Sequence, residues 1–139
     1  MNSLTFPDVN VWLALATEEH VHSAAARTWW QEETGDIAFS RFTQLGFLRL
    51  LTTAAAMDGK AISMREAWRV FDRFFDDDRV VFAAEPVDIE TAFRKNAAGH
   101  RSSPKLWADA WLLAFAQTAL GTLVTFDRAL ASRGARCLL

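Results

Sequence analysis

Apolar residues in this chain fall into a few short continuous runs, separated by stretches in which they recur every three or four positions. The runs are Leu4-Thr5-Phe6, Ile37-Ala38-Phe39, Val80-Val81-Phe82 and Thr122 to Phe126, with Arg136 to Leu138 as a fifth candidate. Continuous runs of this length predict strands buried on both faces, as in a parallel sheet. Pro7 stops the first run, since it cannot donate to a ladder. The intervening periodicity predicts helices over Val9 to Ala16, His20 to Glu33, Phe42 to Ala55, Met64 to Phe75, Val87 to Asn96 and Ser103 to about Leu120, with a short one from Arg128. Gly35 closes the second helix, and Gly121 closes the long one. Ser63-Met64-Arg65-Glu66 carries the capping-box pattern, and Ser103-Pro104 pairs an N-cap with a first-turn proline. Gly46 inside a helix costs about 1 kcal/mol relative to Ala and implies a packing reason. Strands alternating with helices predict an α/β fold with both faces of a parallel sheet covered.

Length and composition narrow the setting. The 139 residues suit one domain with one core. A hydrophobic share of 51% against 23% charged argues against disorder. No apolar run reaches the roughly 18 residues of a membrane helix. The opening Met1 to Asp8 lacks the basic start of a signal peptide, which points to the cytoplasm. The lone Cys137 excludes an internal disulfide and any cysteine-rich zinc site. The net charge of −2 hides an asymmetry: residues 1–40 sum to −5, residues 41–90 to −2 and residues 91–139 to +5. The near-neutral total therefore does not exclude a nucleic-acid partner.

Three carboxylates stand out by position. Asp8 follows the first strand by two residues and Asp127 follows the Thr122–Phe126 strand directly. Open α/β sheets work at the carboxyl ends of their strands, so both are placed for function. Each also reads as a cap of the next helix. Asp109 lies in Leu106-Trp107-Ala108-Asp109-Ala110-Trp111-Leu112-Leu113, a segment apolar on every face and therefore expected to be buried. A carboxylate there needs a partner, either Lys105 one turn earlier or a cation. Converging carboxylates suit a hard divalent ion with oxygen ligands, Mg²⁺ or Mn²⁺, and such an ion beside water suits phosphodiester hydrolysis.

These features, taken in order, resemble the PIN-domain family, and within it the VapC-type ribonuclease toxins of toxin–antitoxin pairs. The resemblance rests on Pro7-Asp8-Val9-Asn10-Val11-Trp12-Leu13-Ala14-Leu15, on His20-Val21-His22 with Ala24-Ala25-Ala26-Arg27, on Thr43-Gln44-Leu45-Gly46-Phe47-Leu48-Arg49-Leu50, on Asp109-Ala110 and on Val124-Thr125-Phe126-Asp127. It spans essentially the whole chain and implies a single PIN domain over 1–139. The implied fold is a three-layer α/β arrangement, with a central parallel sheet of four to five short strands between helices. The implied activity is a Mg²⁺- or Mn²⁺-dependent endoribonuclease neutralised by a cognate antitoxin. Asp8, Asp109 and Asp127 would hold the metal, Asn10 would orient Asp8, and Thr125 would line the site. The family usually has Glu where this chain has Gln44, which loses a negative charge but keeps an amide oxygen that would serve as an outer or weak ligand to the metal or its water. A binding module of the same fold, weak or silent in catalysis, is the alternative that this change raises.

Several other features have two readings. The basic stretch Arg94-Lys95, His100-Arg101 and Lys105 is a solvated loop or a guide for an RNA backbone, with Arg101 and Lys105 nearest Asp109 in sequence. Arg49 is a phosphate contact or a surface cation. His20 and His22, at i and i+2, do not face each other on a helix and read as a polar helix start. Asp76-Asp77-Asp78 reads as a solvated turn. Trp12, Trp29, Trp30, Trp68, Phe71, Phe74 and Phe75 exceed what one small core can bury, which predicts a partner surface: in the resembled family, a homodimer contact and an antitoxin groove. A response-regulator receiver would need adjacent acids after the first strand and a Lys after the last, and neither is present.

Overall fold

The apolar runs become five parallel strands, joined through helices that cover both faces of the sheet. The computed structural model describes residues 3–99 and 101–139. In chain order the elements are β1 (Leu4–Pro7), α1 (Val9–Ala16), α2 (Ser23–Glu32), β2 (Asp36–Phe39), α3 (Arg41–Leu51), α4 (Met64–Phe74), β3 (Val80–Phe82), α5 (Ile89–Asn96), α6 (Leu106–Thr118), β4 (Thr122–Thr125), α7 (Arg128–Ala131) and β5 (Arg136–Cys137). Hydrogen-bonded neighbours run β3-β2-β1-β4-β5. Leu4 stands opposite Asp36 on one side of β1, and Pro7 opposite Val124 on the other. Pro7 thus ends β1 from inside the sheet. This order differs from the 2-1-3-4-5 of receiver-type folds and removes that competitor.

The chain moves outward from β1 through β2 and β3, then crosses back to β4 on the other side. The crevice at the carboxyl ends of β1 and β4 is therefore the topological switch point, where open α/β sheets place their ligands. Successive strand residues point into opposite layers. Ile37, Phe39 and Val124 join a core with α1 to α4, where Trp12 stacks on Phe39 at 3.7 Å between ring centroids. Phe6, Ala38 and Leu123 join a second core with α5 to α7, built on Leu112, Leu113 and Phe115.

Gly46 has the packing reason its cost implied. A Cβ there would stand 2.8 Å from Val9 Cγ2, so its absence lets α3 pack closely on α1. Gly35 serves differently from the helix stop expected of it. Helix α2 ends at Glu32 with an extended cap at Glu33, and Gly35 lets the chain pass close beside Ser3.

Several helix starts differ from the sequence expectation. His20 to His22 form a turn before α2, with His22 N–H donating to His20 Nδ1 and both rings against Phe126. Pro104 sits in a turn closed by Leu106 N–H to the Ser103 carbonyl, so α6 opens at Leu106 and no side chain caps it. Ser63 accepts from Glu66 N–H, but the Glu66 carboxylate turns to Arg69 instead of back to the cap. The reciprocal box is at α3, between Ser40 and Thr43. Asp77 is held by Arg79, whose guanidinium also reaches the Trp30 and Glu33 carbonyls and drives the Asp77 carboxyl below its usual range.

Candidate active site

Two of the three acids are fixed by the strands that precede them. Asp8 leaves β1 in extended conformation as the N-cap of α1, its Oδ1 accepting from Val9 N–H at 2.7 Å. Asp127 leaves β4 in the same way and caps α7, its Oδ1 accepting from Ala129 and Leu130 N–H at 2.8 and 3.2 Å. Thr125, 1% exposed, lies between them. Its hydroxyl donates to Asp8 Oδ2 at 3.2 Å and accepts from Asp127 N–H at 3.0 Å. One side chain thereby sets the positions of both acids.

Asp109 projects from the first turns of α6 and is within electrostatic reach of the other two. Burial, and then repulsion by Asp109 and Asp127, push the Asp8 carboxyl above its usual range against the pull of the Val9 and Thr125 hydrogen bonds. Burial, followed by Asp127, also raises Asp109, while Arg133 and Lys105 oppose the rise. The expectation of a helix buried on all sides fails at this end. Leu106 and Trp107 are exposed, Asp109 is half-buried, and the continuously buried stretch runs from Leu112 to Ala116. Lys105 acts on Asp109 through its field without an ion pair, and among the described residues none of the three acids has a salt-bridge partner.

Gln44 is buried on α3, and its Oε1 accepts from Arg41 Nη1 at 2.6 Å. The Arg41 guanidinium also lies over the Phe82 ring at 4.9 Å. The acceptor that Gln44 was expected to keep for a metal or its water is thus engaged by a cation. Asn10 is exposed on α1, two residues past Asp8. Arg49 is exposed near the far end of α3, while Arg101 and Lys105 are exposed in the loop before α6. His100 of the basic stretch lies outside the described residues, as do Met1 and Asn2. Arg41 and Arg133 escaped the sequence reading. Arg41 has a local signal, its i,i+3 spacing to Gln44. Arg133 has none, because it reaches the Asn96 carbonyl across 37 residues.

The donor set consists of oxygens, and its negative charge is uncompensated by any ion pair. That chemistry fits a hard divalent cation. No three His, Cys, Asp or Glu side chains among the described residues already stand together as a finished cage. Mg²⁺ does not need one, since it usually binds through one or two carboxylates and keeps several waters.

Comparison with known proteins gives a consistent picture. The PIN-domain profile matches residues 5–135. Ribonuclease VapC41 of Mycobacterium tuberculosis is 44% identical over 133 residues, 91% of each chain. Ribonuclease VapC39 of the same organism is 31% identical over 132 residues, 89% of this chain and 88% of its own. Among solved structures, M. tuberculosis VapC20, described as a sarcin–ricin loop cleaving toxin, superposes with a TM-score of 0.68 at 16% identity, over 94% of this chain and 95% of its own. PAE2754 from Pyrobaculum aerophilum gives 0.62 at 18% identity, over 98% of this chain and 84% of its own. At those identities the two structures speak for the fold.

Proposed function

Because this chain belongs to the PIN-domain family and, within it, to the VapC ribonucleases, we propose that its acids support divalent-metal-dependent cleavage of RNA phosphodiester bonds. The observation that carries the reading is the Thr125 hydroxyl, which ties Asp8 to Asp127 at the switch point of the sheet. Asp8, Asp109 and Asp127 would hold Mg²⁺ or Mn²⁺. When bound, such an ion polarises phosphate oxygens and makes a neighbouring water more acidic. Asp8 Oδ2 and the second oxygen of Asp127 face this task, because Oδ1 of each is committed to a helix N-terminus. Gln44, with its oxygen held by Arg41, presents its amide N–H₂ group as a donor in place of the family's carboxylate. Asn10, exposed on the first turn of α1, would orient Asp8 by analogy with the family.

The family further implies an antitoxin that neutralises the enzyme. We place the partner surface on the aromatic side of α4, where Trp68 and Phe75 stay partly exposed while Trp12, Trp29 and Phe71 are buried. A homodimer and a cytoplasmic location complete the proposal; no helix among the described residues is long and apolar enough to cross a membrane. The Gln44–Arg41 pair also supports a second reading, an RNA- or antitoxin-binding module without catalysis.

Cleavage of single-stranded RNA with Mn²⁺ or Mg²⁺, stopped by chelation and by Asp8→Asn, is the expected result for the enzyme. Metal-dependent binding without cleavage supports the module. Equal cleavage by the Asp8→Asn protein would assign the activity to a contaminant and sink the proposal.

A further inference from the structure

A group of cations lies near the acids, not among them. The end of α5, the loop that follows and the start of α6 enclose a cleft of about 620 Å³. Lys95, Arg101 and Arg133 line it, and no acidic side chain among the described residues does. None of the three cations has a salt-bridge partner among the described residues. Arg133 is the fixed member. Its Nη2 donates to the Asn96 carbonyl at 2.8 Å, and its Nη1 is enclosed with no acceptor among the described residues. Asn96 is itself pinned, donating to the Ala110 carbonyl and to Gln117 Oε1 on α6. Arg133 also lines the cleft, where an anionic oxygen would meet a charge-assisted donor.

Two neighbours narrow the kind of anion. The first turn of α6 has no side-chain cap, so its N–H groups add to the positive field at the cleft. Trp107, 62% exposed, stands at the rim, two residues before Asp109. An exposed indole beside a row of cations matches single-stranded nucleic acid, whose bases stack while its phosphates pair. Trp107 and Asp109, two residues apart on α6, point to different sides of the helix; the link to the acids is Arg133, whose charge acts on Asp109.

We propose that this cleft is a phosphate-binding subsite for the RNA strand, in which Arg133, Lys95 and Arg101 hold backbone phosphates and Trp107 stacks a base. The inference rests on the ribonuclease reading for its choice of ligand, and it adds a surface that the acids do not require.

The test is binding of a fluorescein-labelled single-stranded RNA to the full chain in EDTA, by anisotropy across a salt series. The log–log salt slope should shrink by roughly 0.7 for each phosphate that the variant no longer neutralises. Arg133→Gln and the pair Lys95→Gln/Arg101→Gln should both show this, and the pair should weaken binding roughly tenfold at low salt. Trp107→Ala should lower affinity at an unchanged slope, and Arg65→Gln, on α4, should change neither. Lys95 and Arg101 are exposed, so the pair keeps the test valid if Arg133→Gln unfolds the protein. An unchanged slope in the pair, or no RNA binding by the unmodified chain, overturns the cleft. Cleavage of the same RNA with Mn²⁺ is read separately. Wild-type slope without cleavage leaves the cleft standing and removes the enzyme, and cleavage with an unchanged slope in the variants does the reverse.

Discussion

Thr125→Val tests the tie between the two strand-end acids. The substitution keeps the shape of a residue that is 1% exposed and removes only the hydroxyl. Two hydrogen bonds go with it. The donation to Asp8 Oδ2, to a charged acceptor but long at 3.2 Å, contributes about 1.5 kcal/mol. Asp127 N–H, which bonds Thr125 Oγ1 at 3.0 Å, loses its acceptor at a cost of about 1–2 kcal/mol. A total near 3 kcal/mol in a chain of 139 residues lowers Tm by roughly 10 °C. Thermal and urea unfolding in EDTA near neutral pH measure it, with Thr125→Ser as the variant that retains the hydroxyl. A double-mutant cycle with Asp8→Ala then separates the contributions, because only the Asp8 bond depends on both residues. A coupling energy of about 1–2 kcal/mol is expected. A Tm within the experimental error of wild type, or a coupling energy of zero, would refute the idea that Thr125 joins the two acids.

Five further outcomes follow from the same geometry. Asp8→Asn should abolish RNA cleavage yet raise the Tm of the metal-free protein near neutral pH, since it removes a half-buried charge whose carboxyl is raised by burial and by two neighbouring acids. The sign for the wild type follows from that shift: a raised carboxyl contributes stability present below its unfolded pKa and lost as pH rises through its folded one. Acidification through the carboxyl range should therefore relieve the Asp8 penalty in the metal-free protein, while His20, held below its usual range by burial and by His22, works the other way nearer neutrality. Mn²⁺ should raise the Tm of wild type more than that of Asp8→Asn, and equal shifts would exclude Asp8 as a ligand. Gln44→Glu should pair with Arg41 and tighten the apparent Mn²⁺ requirement for cleavage, whereas unchanged metal dependence would separate Gln44 from the site. Gly46→Ala should lose about 1–3 kcal/mol from the 2.8 Å approach to Val9 Cγ2, and Val9→Ala in the same chain should restore part of it.

The fold was legible where a residue's surroundings follow from its immediate neighbours. Ile37, Ala38 and Phe39 form a continuous apolar run because Ile37 and Phe39 enter one core while Ala38 enters the other, and a parallel sheet covered on both faces leaves no polar side. Legibility failed where local grammar had two solutions. Ser103-Pro104 suits a helix start, but it also suits the turn that the chain adopts before α6. His20 belongs to no helix because its ring packs on Phe126, more than a hundred residues away in sequence. Arg133 is the extreme case: its partners, the Asn96 carbonyl and the field of Asp109, exist only once α5, α6 and the segment after α7 have met.

The acids show why capping and function were hard to separate in sequence. Asp8 and Asp127 each invite the bland reading of a helix cap, and each does cap its helix. The cap does not compete with the site. A carboxylate free on both oxygens would rotate, and repulsion from its neighbours would turn it toward solvent. Committing Oδ1 to the backbone N–H groups of the following helix stops that rotation and fixes the direction of the second oxygen. At Asp8 that second oxygen meets the Thr125 hydroxyl, which in turn holds the Asp127 backbone. Two strand ends, two helix starts and one threonine thus keep like charges close together at the switch point of the sheet. Asp109, set on a half-buried turn of α6 without a cap or an ion pair, lacks this restraint. Of the three it is the acid whose orientation depends most on the groups around it, namely Lys105 and Arg133, which oppose its repulsion from Asp127.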